Sequence, residues 1–266
     1  MALISLKAFG GMVPAVDDRL LPDQNAALSR NSWVYDGKLE GMRVPKLVYT
    51  LLISASRMVH RIPVRAGFAL HIDDSYWVEF ADLDTTIVHG AVNNADDPLY
   101  YWSNGDAPPR YNSRSRIIAS TVDLLLGIPS GTLPTVVPSG GVSGTTESRS
   151  YVYTRVSSFG EEGPPSDPST VVTGKIDDTW AVTIPAVGGD ATDRDLTLTR
   201  IYRTITSDQG IATYFFVTEL PIATLLYNDT QTSAVVVLNE QLTSQEYDPP
   251  PTDLVGMVSM PNGMVI

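Results

Sequence analysis

Glycine and proline punctuate this chain so often that only short elements fit between them. The sequence has 20 glycines and 19 prolines in 266 residues, about one residue in seven, and many of them fall in turn-forming pairs. Apolar stripes with helical periodicity are almost missing, whereas short runs of strand-forming residues are frequent. The pattern predicts a mainly β fold built from short strands and turns.

Composition narrows the class of protein. The length is sufficient for two domains, each with its own core, and 43% hydrophobic against 18% charged residues indicates globular material. No apolar run approaches the roughly 20 residues that a membrane-spanning helix needs. The opening run Met1 to Phe9 is too short and too weakly basic for a signal peptide. We therefore expect neither a membrane-spanning segment nor a targeting signal.

Charge and cysteine content exclude several kinds of site. The sequence contains no cysteine, which rules out disulfides, thiolate metal sites and a cysteine nucleophile. A formal charge of -12 predicts repulsion from phosphate backbones, and therefore no sequence-specific binding of nucleic acid. An acidic wall suits a different role, because a duplex slides most freely through a channel that does not grip it.

Composition also predicts the domain boundaries. The stretch between Gly127 and Ser150 is rich in glycine, serine, threonine and proline, a composition typical of a linker or loop. A run of prolines after Asp248 must be extended, since proline fixes φ and restricts the residue before it. We therefore expect a β-rich assembly domain over 1–128, a linker over 129–148, a β-sandwich over 149–247 and a proline-rich exit segment over 248–266.

The expected sandwich rests on closely spaced strand signals. Trp180, Val182 and Ile184 alternate with small or polar residues, so one face of their strand should enter a core. The predicted strands cover 151–156, 170–173, 180–184, 196–205, 214–220 and 234–238.

Turn signals organise the first domain. Pro22 and Asp23 predict a short, alanine-rich turn of helix, and Asp36-Gly37 predicts a tight hairpin after Trp33-Val34-Tyr35. A second hairpin is expected at Asp73-Asp74, between strands at 67–72 and 75–80, with a meander continuing through 85–91 and 99–102. Periodicity leaves Thr50 to Val59 open between helix and strand.

Candidate chemical groups are present but do not form a recognisable set. The histidines His60, His71 and His89 lack the spacing of a zinc site. Paired aspartates such as Asp82 and Asp84 could serve calcium binding or glycoside hydrolysis, but most of the pairs fall where turns are expected. Nucleotide-binding and nucleophile-elbow motifs are absent from the sequence. We expect no enzyme activity, no cofactor and no metal site.

Aromatic residues beside arginine are the remaining candidates. Three roles are open for them: core packing, contacts in an assembly, and stacking platforms for sugars. Tyrosine, tryptophan and arginine are the usual anchors of protein interfaces. The candidate assembly contacts are Trp33, Tyr35, Arg43, Tyr101, Trp102 and Arg110.

Several motifs resemble those of a known family of virion proteins. In the first half they are Leu20-Leu21-Pro22 with Asn25-Ala26-Ala27, Arg43-Val44-Pro45, Trp77 to Phe80, and Tyr101-Trp102 with Pro108-Pro109-Arg110-Tyr111. In this order they resemble the N-terminal part of tail nozzle, or tail tubular, proteins of short-tailed bacteriophages. The second half resembles the fibronectin type III-like insert of such proteins, through Tyr151 to Thr154, Phe159 to Ser166, Arg200 to Thr204, Glu219 to Pro221, Asp229-Thr230 and Asp248 to Pro251.

The resemblance implies a structural role. It implies a homo-oligomeric, sixfold ring below the portal and adaptor, through which DNA leaves the particle, with fibres as further partners. It also implies location in the phage tail after assembly in the host cytoplasm. Nozzle proteins of this family continue into further β-domains beyond a stretch like Met260 to Gly263, so we expect a fragment or a shortened relative. The alternative is a receptor- or glycan-binding tail module, because β-sandwiches commonly display binding loops.

Overall fold

The computed structural model is mainly β, as the sequence predicts, and falls into two compact units. The first covers Met1–Thr50 and the second covers Leu51–Ile266. The structure describes residues 10–13, 20–22, 25–26, 32–35, 38–41, 47–63, 75–90, 97–206, 212–260 and 265.

The first unit contains two small sheets. Strands β1 (Gly11–Met12) and β2 (Asn25–Ala26) pair in parallel, and β3 (Ser32–Tyr35) pairs antiparallel with β4 (Lys38–Gly41). The register sets Tyr35 opposite Lys38. The hairpin predicted at Asp36-Gly37 is therefore confirmed in its strands and register.

The helical turn predicted after Pro22 is wrong where the structure describes it. Asn25 and Ala26 form strand β2, and the amide of Asn25 donates a hydrogen bond of 2.8 Å to the carbonyl of Pro22, closing a turn instead of a helix. A single helical turn is unstable alone because its nucleation fixes several residues for one hydrogen bond. Pairing with β1 offers the backbone a better partner.

The second unit begins with an antiparallel region that we call the meander module. Strands β7 to β10 form one sheet in the order β10-β9-β8-β7, while β5 pairs with β6. Helix α1 (Arg114–Ile118) follows β9 and is capped by the hydroxyl of Ser113. The strands are β5 (Met58–Pro63), β6 (Ser75–Phe80), β7 (Thr86–His89), β8 (Leu99–Ser103), β9 (Arg110–Ser113) and β10 (Leu124–Leu125).

These strands test the predictions for this region. The ambiguous stretch at 50–59 contains no helix among its described residues and enters β5 at Met58. The meander through β7 and β8 is confirmed. The partner of β6 in the structure is β5, and the strand predicted at 67–72 lies outside the described residues. Buried Ile62, Tyr100, Trp102 and Ile117 form the core of the module.

The remaining strands form what we call the two-sheet module. One sheet has the order β13-β16-β17 and another the order β11-β15-β18, while β12 pairs with β14. Side chains of both three-stranded sheets share one buried core, which includes Tyr153, Ile201 and Val217. The strands are β11 (Thr135–Ser139), β12 (Thr146–Arg149), β13 (Tyr151–Ser157), β14 (Val172–Lys175), β15 (Thr179–Thr183), β16 (Leu196–Thr206), β17 (Ala212–Pro221) and β18 (Leu226–Asp229).

The alternation predicted around Trp180 is confirmed. Trp180, Val182 and Ile184 are at most 1% exposed and belong to this core. Helix α2 (Asp190–Asp193) precedes β16. The strand predicted at 234–238 is wrong, because helix α3 (Ser233–Val236) occupies most of it. Only Val236 of that apolar run is fully buried, while Leu238 is 84% exposed. The third strand of the sheet that contains β11 and β15 is β18, which was not among the strands predicted from the sequence.

Two segments that composition set apart from the domains pack against them. The expected linker, 129–148, contains β11 and most of β12, and Val136 of β11 lies opposite Val182 of β15. The expected exit segment also folds back, since Met257 is only 4% exposed and Pro249 and Pro250 border a cleft with Gly127. Proline and glycine here shape extended edge strands and close packing instead of a free connection.

Candidate assembly site

The two modules of the second unit meet at an aromatic junction. The hydroxyl of Tyr111 donates a hydrogen bond of 2.8 Å to the carboxylate of Glu161. The ring of Tyr111 lies 5.6 Å from that of Phe159, and on its other side Tyr101 stacks at 5.7 Å and 8°. Tyr111 is 1% exposed. Strand β9 of the meander module thus packs on, and hydrogen-bonds to, the loop that follows β13.

Local sequence explains how each partner reaches the junction. The antiparallel register of β8 and β9 sets Tyr101 directly opposite Tyr111, which favours stacking of the two rings. On the other side, Gly160 adopts a φ of +80° and its amide donates to the carbonyl of Ser157, which closes a tight turn before Glu161. Glycine adopts this left-handed conformation without steric cost.

A second contact fixes the junction through charge. Arg116 of α1 forms an ion pair of 3.0 Å with Asp195, which also accepts a hydrogen bond of 2.7 Å from the hydroxyl of Ser158. Asp195 has a φ of +52°, a conformation that only short polar residues and glycine adopt readily. Nearby, the guanidinium of Arg194 donates to the carbonyls of Leu126 and Gly127.

Burial keeps the tyrosines of the junction neutral. Desolvation is the main cause that raises the pKa of Tyr101 to about 12, with the negative charge of Glu161 as the second cause. The pKa of Tyr111 is raised further by the same two causes and by its hydrogen bond to Glu161. Both hydroxyls therefore remain protonated at neutral pH, and Tyr111 remains a donor.

An open cleft of 540 Å³ borders the junction. Two of its acidic residues are engaged: Glu161 accepts from Tyr111, and Glu162 forms an ion pair of 2.8 Å with Arg200. The described residues hold no group of three or more histidine, aspartate or glutamate side chains placed to bind a metal ion. The cleft is lined by Leu126, Gly127, Ile128, Glu161, Glu162, Gly163, Pro164, Glu246, Tyr247, Asp248, Pro249 and Pro250.

The sequence-predicted contact residues are only partly brought together. Tyr101 lies at the junction, and Arg110 is half-buried and donates to the carbonyl of Asp123 at 3.3 Å. Trp102 is opposite Arg110 in the sheet but is only 8% exposed, packed in the core of the meander module.

The three candidates in the first unit are not tested by the structure. Trp33 and Tyr35 lie in β3, with side chains outside the described part of the chain, and Arg43 lies outside it altogether. For them, contact with another subunit stays a prediction.

A buried ionic cluster links strands of the two-sheet module. Asp229, fully buried, lies 3.2 Å from the guanidinium of Arg149 and 3.4 Å from that of Arg203. The hydroxyl of Tyr151 donates to the same carboxylate at 2.8 Å. Arg149 also lies over the ring of Trp180, at 4.5 Å from its centroid. Asp229 therefore faces two arginines from different strands, and Glu147 supplies a second carboxylate that contacts both of them.

No protein-family model matches the sequence, and no curated protein matches it. None of the helices in the described ranges has the length and apolar character of a membrane span.

Proposed function

We propose that this chain is a structural virion protein of a bacteriophage tail, a ring-forming nozzle or tail-tube component that helps to form the conduit for DNA ejection. The observation that carries the proposal is a contact between two segments on which the resemblance rests. Tyr111 ends the Pro108-Pro109-Arg110-Tyr111 motif, and Phe159 and Glu161 belong to the Phe159 to Ser166 motif. The two motifs therefore contact each other where the meander module meets the two-sheet module.

The second of these motifs also completes the two-sheet module. The amide of Gly163 donates to the carbonyl of Arg155 at 3.0 Å, and that of Ser166 donates to the carbonyl of Tyr153 at 2.8 Å. The motif thereby covers the outer edge of β13, where unpaired backbone groups would otherwise invite unspecific strand pairing. This supports a fibronectin III-like β-sandwich held in a fixed orientation to the meander module, which suits a load-bearing subunit.

Exposed apolar side chains on the two-sheet module support assembly into a homo-oligomer. Val142 is 89% exposed, Val171 70% and Val137 62%. Exposed apolar surface becomes favourable when another subunit covers it. In our proposal the oligomer is a sixfold ring in the virion, assembled in the host cytoplasm, with adaptor and fibre proteins as neighbours. The net charge of -12 suits a conduit that contacts DNA without sequence-specific binding.

The test is negative-stain imaging of the purified chain mixed with its adaptor protein. We expect closed rings in end-on views and stacked densities in side views. A chain that remains monomeric with the adaptor present and binds bacterial surface glycan would overturn the proposal in favour of an adhesin. A matched preparation of the chain without adaptor separates self-assembly from templated assembly.

A further inference from the structure

Two buried arginines on consecutive strands of the two-sheet module, Arg149 in β12 and Arg155 in β13, differ in their charged partners. Arg149 pairs with Asp229 and Glu147. Arg155 is also buried, at 5% exposure. No carboxylate among the described residues forms an ion pair with it. Arg149, which has charged partners, can therefore be compared with Arg155.

The partners of Arg155 are all neutral. Its guanidinium donates to the carbonyl of Pro185 at 2.6 Å and to the hydroxyl of Thr199, and it lies over the ring of Tyr153 at 4.6 Å from the centroid. Desolvation lowers the pKa of Arg155, although arginine keeps its proton in proteins. A buried charge without an opposite charge is costly, by several kcal/mol per ion in typical proteins. An anion would offset that cost.

A cleft beside Arg155 has room for such an anion. Its volume is 200 Å³, where one water molecule occupies about 30 Å³. Guanidinium has five N–H donors in a planar fork that matches a carboxylate, and the contacts to Pro185 and Thr199 leave some of them for a ligand. The cleft is lined by Pro129, Ser130, Gly131, Thr132, Tyr153, Arg155, Pro185, Ala186, Val187 and Leu196.

We propose that this cleft, the Arg155 cleft, binds a carboxylate group through the Arg155 guanidinium. The carboxylate comes either from a small free acid or from an aspartate or glutamate of a second copy of this chain. Acidic side chains outnumber basic ones by 30 to 18 in this sequence, so each copy offers many candidates to its neighbour. The second source rests on the proposed ring, whereas the first does not.

The experiment uses the full chain and two readouts. The first is the thermal unfolding midpoint in sodium acetate against sodium chloride at equal ionic strength, because a ligand that binds only the folded state stabilises it increasingly as the ligand concentration exceeds Kd. The second is the mass of the assembly formed with the adaptor. The variants are Arg155→Gln, which removes the cation, and Ala186→Leu, which obstructs the cleft from an exposed position while retaining Arg155. Exposed Arg57→Gln is the matched control for loss of charge.

The outcomes separate the two sources. If free acids bind, acetate raises the midpoint of the wild type and of Arg57→Gln progressively with its concentration, and both cleft variants lose the effect. If a second copy supplies the carboxylate, both cleft variants shift the mass from ring to single chain, and Arg57→Gln does not. Should Arg155→Gln fail to fold, Ala186→Leu carries the test.

Failure of this inference and of the proposed function are distinguishable. Rings that form equally in every variant, with no acetate-dependent midpoint, overturn the Arg155 cleft and leave the nozzle proposal intact. A monomeric wild type that is stabilised by acetate through Arg155 overturns the ring and retains the cleft as a site for small acids.

Discussion

Tyr111 and Glu161, fifty residues apart in the chain, share a hydrogen bond of 2.8 Å at the boundary between the meander and two-sheet modules. Phe159 packs on the same tyrosine ring, and the Arg116–Asp195 ion pair lies at the same boundary. A buried donor opposite a charged acceptor makes a stronger hydrogen bond than a neutral pair does. The junction is therefore expected to couple the unfolding of the two modules.

Replacing Tyr111 with phenylalanine tests that coupling. The change removes the hydroxyl but retains the ring contacts, and we expect a loss of about 1.5–3 kcal/mol in the free energy of unfolding, typical of a hydrogen bond to a charged group. Urea denaturation followed by tryptophan fluorescence measures it. Tyr76→Phe is the control, because its hydroxyl forms an exposed hydrogen bond, at 3.1 Å from the hydroxyl of Ser120. Equal losses in the two variants would contradict a special role for the junction.

Asp229 is expected to be the most sensitive acidic residue of the two-sheet module. Asp229→Asn removes the charge that the buried guanidinium groups of Arg149 and Arg203 share and leaves the partly exposed Glu147 to face both, and breaking a buried pair typically costs about 3–5 kcal/mol. Chemical denaturation provides the measurement. Glu219→Gln, at the exposed ion pair with Arg200, should cost less than about 1 kcal/mol. If the two substitutions cost the same, the cluster does not hold the module together.

Two glycines with positive φ allow the cost of backbone strain to be measured apart from the cost of a steric clash. Gly127 and Gly140 have φ of +80° and +88°. A Cβ added at Gly127 would collide with Pro250, whereas a Cβ added at Gly140 would not. Gly140→Ala should cost about 1–2 kcal/mol from the left-handed conformation alone. Gly127→Ala should cost more and expose the segment after Asp248 to limited proteolysis, detected by mass spectrometry. Equal protection of this segment in both variants would argue against its packing on Gly127.

Alkaline pH should weaken the junction. Because the pKa of Tyr101 is raised to about 12 in the folded chain and is about 10 when unfolded, the stabilisation is complete below pH 10 and is lost as pH rises towards 12. Unfolding midpoints at pH 9 to 12, with tyrosinate absorbance, follow this loss. Tyr101→Phe should flatten the decline, whereas Tyr247→Phe, at a side chain 54% exposed, should not. A decline unchanged by Tyr101→Phe would contradict this.

Sequence patterns predicted best where one local rule decided the outcome. The alternation of Trp180, Val182 and Ile184 identified a core-facing strand, because side chains of a strand alternate between its faces. Asp36-Gly37 identified a hairpin for similar reasons of local turn geometry. The apolar run at 234–238 lacked such a rule, and it became a short helix with one buried valine.

The junction was beyond reach from the sequence for a physical reason. Tyr111 and Glu161 meet only after both modules have folded, and neither residue carries a local signal of the other. The clustered aromatic residues and Arg110 that the sequence singled out lie on β8 and β9, the strands that carry Tyr101 and Tyr111, although Trp102 is a core residue. The proline and glycine content of 129–148 suggested a linker. The segment contains the edge strand β11, and an edge strand tolerates these residues.

The most direct test of the proposed function is the native mass of the purified full chain bound to its adaptor. We expect a discrete species that contains six copies of the 28.8 kDa chain. Dissociation of that species should leave single chains without smaller stable rings. A species with one copy per adaptor, unchanged over a wide range of protein concentration, would contradict the ring and with it the nozzle proposal.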